Sequence, residues 1–127
     1  MSDNNTYYVQ ARTDELGIFA SCRYFSDYAA TQPVETPLWV PPDAGSCLIA
    51  QAEGSELALI GSVFKTLGQA PSLNISNYCP ASDDGLVTVS MPTTSTVTKG
   101  VVLLFSDPQT VTMIYPSKDP QIINTPP

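Results

Sequence analysis

Residues 100–105 read GVVLLF, and Val101–Phe105 is the longest purely apolar run in the chain. Five residues are enough for a strand but far too few for a transmembrane helix, which needs about 20. Successive side chains of a strand point to opposite faces, so both faces of this strand are apolar. The run therefore predicts a central strand that is buried on both sides.

Segments on either side of this run alternate apolar and polar residues with a period of two, which is typical of half-buried strands. Such alternation occurs over residues 7–12, 86–91 and 110–115. We expect the core to contain the apolar residues of the central run and of its neighbours: Val87, Val89, Val101, Leu103, Phe105, Val111 and Met113.

The segment 56–67 fits two structures. Its apolar residues recur at helical spacing, which allows one short helix. It also fits the second strand of a hairpin, in which Cys47–Glu53 and Glu56–Phe64 flank a two-residue turn that begins with Gly54. Glycine at this position suits a type II′ turn. Because the neighbouring segments are strands, we expect the hairpin.

Proline sets the connections between these strands. The chain contains 12 prolines in 127 residues, nearly twice the average share of about 5%. They make residues 28–43 a long extended connection and bound short segments after Asp107. We expect one β-rich domain over residues 1–127. Its predicted fold is all-β, a sandwich or barrel of at least six strands with long Pro-rich connections and at most one short helix.

Residues 107–127 are expected to form an extended C-terminal arm. The part from Tyr115 to Pro127 contains four prolines, which rules out a central strand there. Ile122 and Ile123 are nevertheless too apolar to be left in water. We expect this part of the arm to pack on another chain, the alternative being that it covers an end of its own sheet.

Charge and composition exclude several classes of protein. Twelve acidic residues stand against five basic ones, which gives a net charge of −7. Binding to a phosphate backbone needs clustered Lys and Arg, so we expect no nucleic-acid partner. The chain has no histidine, which excludes His-dependent nucleophiles and His metal ligands. No apolar run reaches the length of a membrane span, so we expect no membrane insertion.

The sequence contains no motif that indicates a cofactor or a catalytic site. Cys22, Cys47 and Cys79 lack metal-ligand spacing and are expected to be free thiols, with a Cys22–Cys47 disulfide as the alternative. Asp83-Asp84-Gly85 could offer oxygens to Ca²⁺, but turns favour these residue types in any case. Phosphate-binding loops and nucleophile motifs are absent. We expect no metal, no cofactor, no catalytic residues and no enzymatic activity.

The N-terminal residues 1–5 lack the basic and apolar regions of a signal peptide. We expect a protein that is used without classical secretion or whose signal has been removed. The compartment is not defined by the sequence, and a virion is one candidate.

Low charge, with 13 Ser and 13 Thr in place of charged residues, suits large protein–protein contacts. The first hypothesis is therefore a non-enzymatic structural or assembly protein that associates with itself, such as a capsid, decoration or tail component of a virion. The alternative is a binding module, either a carbohydrate-binding β-sandwich that uses Trp39 or an acidic inhibitor of a basic partner. The candidate interface residues are aromatic or aliphatic: Tyr24, Phe25, Tyr28, Trp39, Ile122 and Ile123.

Overall fold

The computed structural model describes residues 5–68, 77–118 and 120–124. These residues form strands and no helix, which confirms the predicted all-β class. The strands are β1 (Thr6–Thr13), β2 (Ala20–Phe25), β3 (Pro33–Val34), β4 (Leu38–Trp39), β5 (Ser46–Gln51), β6 (Ala58–Thr66), β7 (Asn77–Pro80), β8 (Leu86–Ser90), β9 (Thr98–Asp107), β10 (Thr110–Pro116) and β11 (Gln121–Ile123).

Two mixed sheets pack together as a β-sandwich. The first sheet has the strand order β3-β2-β1-β5-β8, and the second has the order β4-β11-β9-β6-β7, with β10 also paired to β9. Two pairs are parallel, β1 with β5 and β4 with β11. Of the two predicted architectures, sandwich and barrel, the chain adopts the sandwich.

The inward side chains of β9 lie at the centre of the core. Val101, Leu103 and Phe105 are buried there with Val87 and Val89 from the first sheet, as the alternation predicts. β9 pairs with β6 along one side and with β10 and β11 along the other. This central place in the second sheet confirms the strand assignment of the GVVLLF segment.

The outer face of β9 departs from the prediction. Val102 is 38% exposed and Leu104 is half-buried, so the strand is not buried on both sides within its own chain. A sandwich has only two layers, and a residue that points away from the other sheet meets solvent unless something else covers it.

β10 holds the second correction to the predicted core. Met113 is 41% exposed, and the side chain of Val111 lies outside the described part of the structure. The register between β10 and β9 shifts between Thr110 and Ile114. Such a bulge interrupts the ladder and re-aims the side chains beside it, which strict alternation along the sequence does not capture.

The segment 56–67 contains strand β6, as the hairpin interpretation predicts, but its partner is different. β5 belongs to the first sheet and β6 to the second, so the two strands do not pair and Glu53 does not face Glu56 across a ladder. Between them the chain crosses from one sheet to the other. The Ser55 hydroxyl donates a hydrogen bond to the Leu57 carbonyl and accepts one from the Ala11 amide, which fixes the crossing.

The C-terminal segment packs on its own domain, so the prediction of an arm on another chain is wrong for its described residues. β11 lies between β4 and β9, and Ile122 is fully buried. Asn124 is also buried, and its side-chain amide ties the end of β11 to the loop before β9. The amide oxygen accepts a hydrogen bond from the Val97 backbone amide, and the amide nitrogen donates to the carbonyls of Pro92 and Ser95. Pro120 stands directly before β11 and does not interrupt it. Residues 119 and 125–127 lie outside the described part.

Replacing Leu103 by alanine is expected to lower the free energy of unfolding by about 2–5 kcal/mol, because a fully buried side chain leaves a cavity. Val102→Ala, on the opposite face of the same strand, is the matched control and is expected to cost less than about 1 kcal/mol. Urea denaturation followed by circular dichroism gives both values. Equal losses for the two variants would contradict the assignment of the inward face.

Candidate functional site: an apolar sheet face and its groove

Three of the six interface residues that the sequence nominates are buried in their own chain. Tyr24 and Ile122 belong to the core cluster between the sheets. Phe25, on the other face of β2, is covered as well, and the Arg23 guanidinium lies 5.3 Å from the centre of its ring. Alternation along β2 places Tyr24 and Phe25 on opposite faces of the sheet, and both are covered. None of these three side chains is available to a partner in this fold.

The other three nominated residues lie at the surface in two places. Trp39 and Ile123 are half-buried neighbours, because β4 and β11 pair them in register. The Trp39 carbonyl accepts a hydrogen bond from the Tyr7 hydroxyl. Tyr28 is 57% exposed and lies edge-on to Tyr8, with 6.2 Å between the ring centres. The structure therefore does not bring the six residues together into one interface.

The outer face of the second sheet carries apolar side chains in rows across the strands. Tyr78, Val63 and Val102 form one row over β7, β6 and β9. Leu104 and Pro116 form the next row over β9 and β10. Directly opposed residues share a face of the sheet. We call these five residues the apolar face.

Two glycines let larger side chains lie flat on this face. A Cβ atom at Gly61 would be 3.0 Å from the Tyr78 ring, and one at Gly100 would be 2.9 Å from Leu67 Cδ2. The contact at Gly61 would be tight and the one at Gly100 too short, so in each case the facing side chain would have to shift. With glycine at both positions, Leu67 and Tyr78, which is 61% exposed, widen the apolar surface.

The outer face of the first sheet is mixed in composition. Where β1 and β2 pair, it carries Gln10 opposite Arg23 and Arg12 opposite Ser21. Outward positions of an antiparallel sheet are normally polar because they meet water. The same face also carries an apolar row across β2, β1, β5 and β8, formed by Phe25, Tyr8, Ala50 and Leu86. Phe25 is buried and the other three are half-buried, whereas Val102 and Tyr78 on the second sheet are exposed.

A groove of about 560 Å³ lies at one end of the apolar face. Apolar residues of the sheet form much of its lining, and Pro37 and Pro120 contribute from the flanking connections. Among the described residues that line it, the charged ones are Lys65 and Lys118. In a chain with a net charge of −7, this local excess of positive charge sets the groove apart. We call it the lysine-flanked groove.

The β1–β2 connection, Asp14–Phe19, borders the groove through Lys118 and forms a compact hairpin tip. The Lys118 ammonium lies 5.1 Å from the centre of the Phe19 ring. The Asp14 carboxylate accepts hydrogen bonds from the Ile18 and Phe19 amides, at 3.1 and 3.3 Å. The Asp14 carbonyl accepts another from the Gly17 amide at 3.0 Å. Since Gly17 has a φ of +71°, it adopts a turn conformation that suits glycine.

The environment of Asp14 shifts its pKa in two directions. Desolvation raises the pKa of this carboxyl, but the hydrogen bonds from the Ile18 and Phe19 amides and the charge of Lys118 lower it by more. The net effect is a pKa below the ordinary value of an aspartate. The folded chain therefore favours the ionised carboxylate that holds the hairpin tip.

The cysteines and the acidic turn do not form a reactive site in the described part of the chain. Burial raises the pKa of Cys47 to about 12, so this thiol stays protonated. Cys47 and Cys79 are free thiols, which excludes the Cys22–Cys47 disulfide left open by the sequence. Asp83 and Asp84 are exposed. Within the described ranges, no three His, Cys, Asp or Glu side chains are placed to hold a metal ion.

Comparison with known proteins adds no functional assignment. No protein-family model matches the chain, and no curated protein matches it at a significant level. The described residues contain no helix that is long and apolar enough to cross a membrane.

Sequence reasoning missed most of the apolar face. The only signal was the central run, in which Val102 and Leu104 form a second apolar side that the prediction placed in the interior. Val63 and Tyr78 could not be found from the sequence, because only the pairing of β6 with β7 and β9 places them in line with Val102.

Lowering the pH below about 4 is expected to reduce the free energy of unfolding, partly through Asp14. A carboxyl whose pKa is depressed by folding stabilises the folded state above its unfolded pKa of about 3.9, and this contribution disappears as the pH falls through the folded pKa. Asp14→Asn should therefore flatten the dependence of stability on pH between about 5 and 2. Urea denaturation at a series of pH values measures the slope.

Asp84→Asn, which removes the same charge from another exposed turn, controls for net charge. A slope for Asp14→Asn equal to that of the wild type would contradict this account.

Proposed function

We propose that this protein is a non-enzymatic structural or assembly protein that acts through protein–protein contacts, in the first place with copies of itself. Components of capsids, capsid decorations or tails are examples of such subunits. The observation that carries the proposal is the apolar face of the second sheet. Contiguous apolar surface on a folded protein marks a contact site more often than scattered apolar residues do.

The apolar face is suited to burial against another protein. Val63, Val102 and Leu104 are aliphatic and Tyr78 is aromatic, which are side chains that contribute well to the centre of an interface. They lie on paired strands, so little conformational freedom is lost when a partner covers them. The second apolar side of β9, which is exposed in the single chain, would then be buried in the assembly.

The distribution of charge allows a second copy as the partner. Net charges of −7 repel two copies at long range, so a stable contact between them needs local pairs of opposite sign. Lys65 and Lys118 stand beside the apolar face, whereas Asp14 and Glu15 lie on the hairpin tip. A contact between two copies can therefore match positive with negative groups in spite of the net charge.

The alternative of a binding module has less support. A carbohydrate-binding role for Trp39 depends on an aromatic ring displayed on a concave surface. Trp39 is half-buried in β4 and is not among the residues that line the lysine-flanked groove. The acidic inhibitor depends on one concentrated acidic surface, and no specific observation favours it over the assembly role.

Sedimentation velocity over a range of concentrations tests the proposal. The wild type is expected to associate as its concentration rises. Val102→Asp is expected to weaken this association at least about tenfold in Kd, because covering the face desolvates the new carboxylate and a pair with a neighbouring lysine does not offset that cost.

Thr88→Asp is the matched control, since Thr88 is an exposed β-branched residue of similar shape on a strand of the first sheet. Its Kd is expected to stay within about twofold of the wild-type value. Circular dichroism and thermal melting confirm that both variants are folded. A wild-type protein that sediments as a monomer up to about 1 mM would overturn the proposal.

A further inference from the structure

The hairpin tip displays apolar side chains on a rigid support. Leu16 is 75% exposed and Ile18 is 53% exposed, which makes them two of the most solvent-exposed large apolar residues in the described part of the chain. The Asp14 hydrogen bonds hold the backbone that carries them. Ordering a loop at an interface is costly, and a tip that is already ordered avoids much of that cost.

The hairpin tip and the lysine-flanked groove are complementary in shape, polarity and charge. The tip protrudes and presents Leu16 and Ile18, while the groove is concave and offers about 560 Å³ over an apolar floor. The tip carries the carboxylates of Asp14 and Glu15, and the groove is flanked by Lys65 and Lys118. Since Asp14 and Lys118 already interact within the chain, Glu15 and Lys65 are the opposite charges that a second copy would bring together.

The tip does not fill the groove of its own chain. Leu16 would be covered if it did, and it is three-quarters exposed. At the base of the tip, Lys118 lies over the Phe19 ring and its charge acts on Asp14. Lys118 also lines the groove, so the tip and the groove are neighbours that share this residue.

We propose that the lysine-flanked groove binds the hairpin tip of a second copy of this chain, with Leu16 and Ile18 on the apolar floor and Glu15 beside Lys65. This inference rests on the proposed self-association and specifies its contact. Because the tip and the groove are neighbours, a two-fold axis close to Lys118 makes the contact reciprocal, each tip entering the groove of the other copy. Such an isologous interface closes at a dimer.

The first experiment removes the apolar side chains of the tip. Leu16→Ser/Ile18→Ser is expected to raise the Kd of self-association at least about tenfold, as measured by sedimentation velocity. Ile60→Ser is the control, since Ile60 is also an exposed aliphatic residue but lines a different cavity, with Asp83 and Asp84. It is expected to leave the Kd within about twofold of the wild type.

The second experiment exchanges the charges. Lys65→Glu and Glu15→Lys are each expected to weaken self-association, because the tip and the groove then carry like charges. An equimolar mixture of the two variants restores an opposite pair at both contacts and is expected to associate about as strongly as the wild type. Neither residue is buried, so folding is not at risk, and thermal melting verifies it.

The outcomes separate this inference from the proposed function. If the wild type associates and Val102→Asp prevents it, but the tip variants have no effect and the mixture shows no recovery, the tip–groove contact is wrong and the assembly role stands. If the wild type is monomeric throughout, both are wrong. Recovery in the mixture, with weakening in each separate variant, establishes the contact between two copies.

Discussion

Packing of the inward side chains of β9 against the first sheet is the constraint on which the rest of the structure depends. Leu103 and Phe105 are fully buried, and β9 is the strand to which β6, β10 and β11 all pair. Two hydrogen bonds join the Leu103 backbone to Ser117. The Leu103 amide donates to the Ser117 hydroxyl, and the Ser117 amide donates to the Leu103 carbonyl. Fixing β9 in the core therefore fixes the chain before and after it.

The same constraint creates the apolar face. A strand in a two-layer sandwich can bury only one of its sides, and β9 is apolar on both. The pairing of β6 and β7 beside it adds Val63 and Tyr78 to the exposed side. The surface that we propose for assembly is thus a direct consequence of placing a doubly apolar strand at the centre of an outer layer, where the described residues form no third layer over it.

Charge is distributed so that this surface is distinct from the rest of the molecule. Two of the chain's five basic residues line the groove at the end of the apolar face, and carboxylates lie on turns such as the hairpin tip. The apolar area supplies the free energy of a contact, while the position of the few charges decides which surfaces can meet. An acidic chain that associates with itself needs both features.

The sequence by itself determined the all-β class, the strand at GVVLLF and the inward residues Val87, Val89 and Val101, because a period of two is a local property of the chain. It could not determine that β5 and β6 belong to different sheets, that β11 closes its own sheet, or that the register of β10 slips and exposes Met113. These outcomes depend on pairings between segments far apart in sequence. The candidate site depends on them most, since rows of side chains across three strands exist only once the register is set.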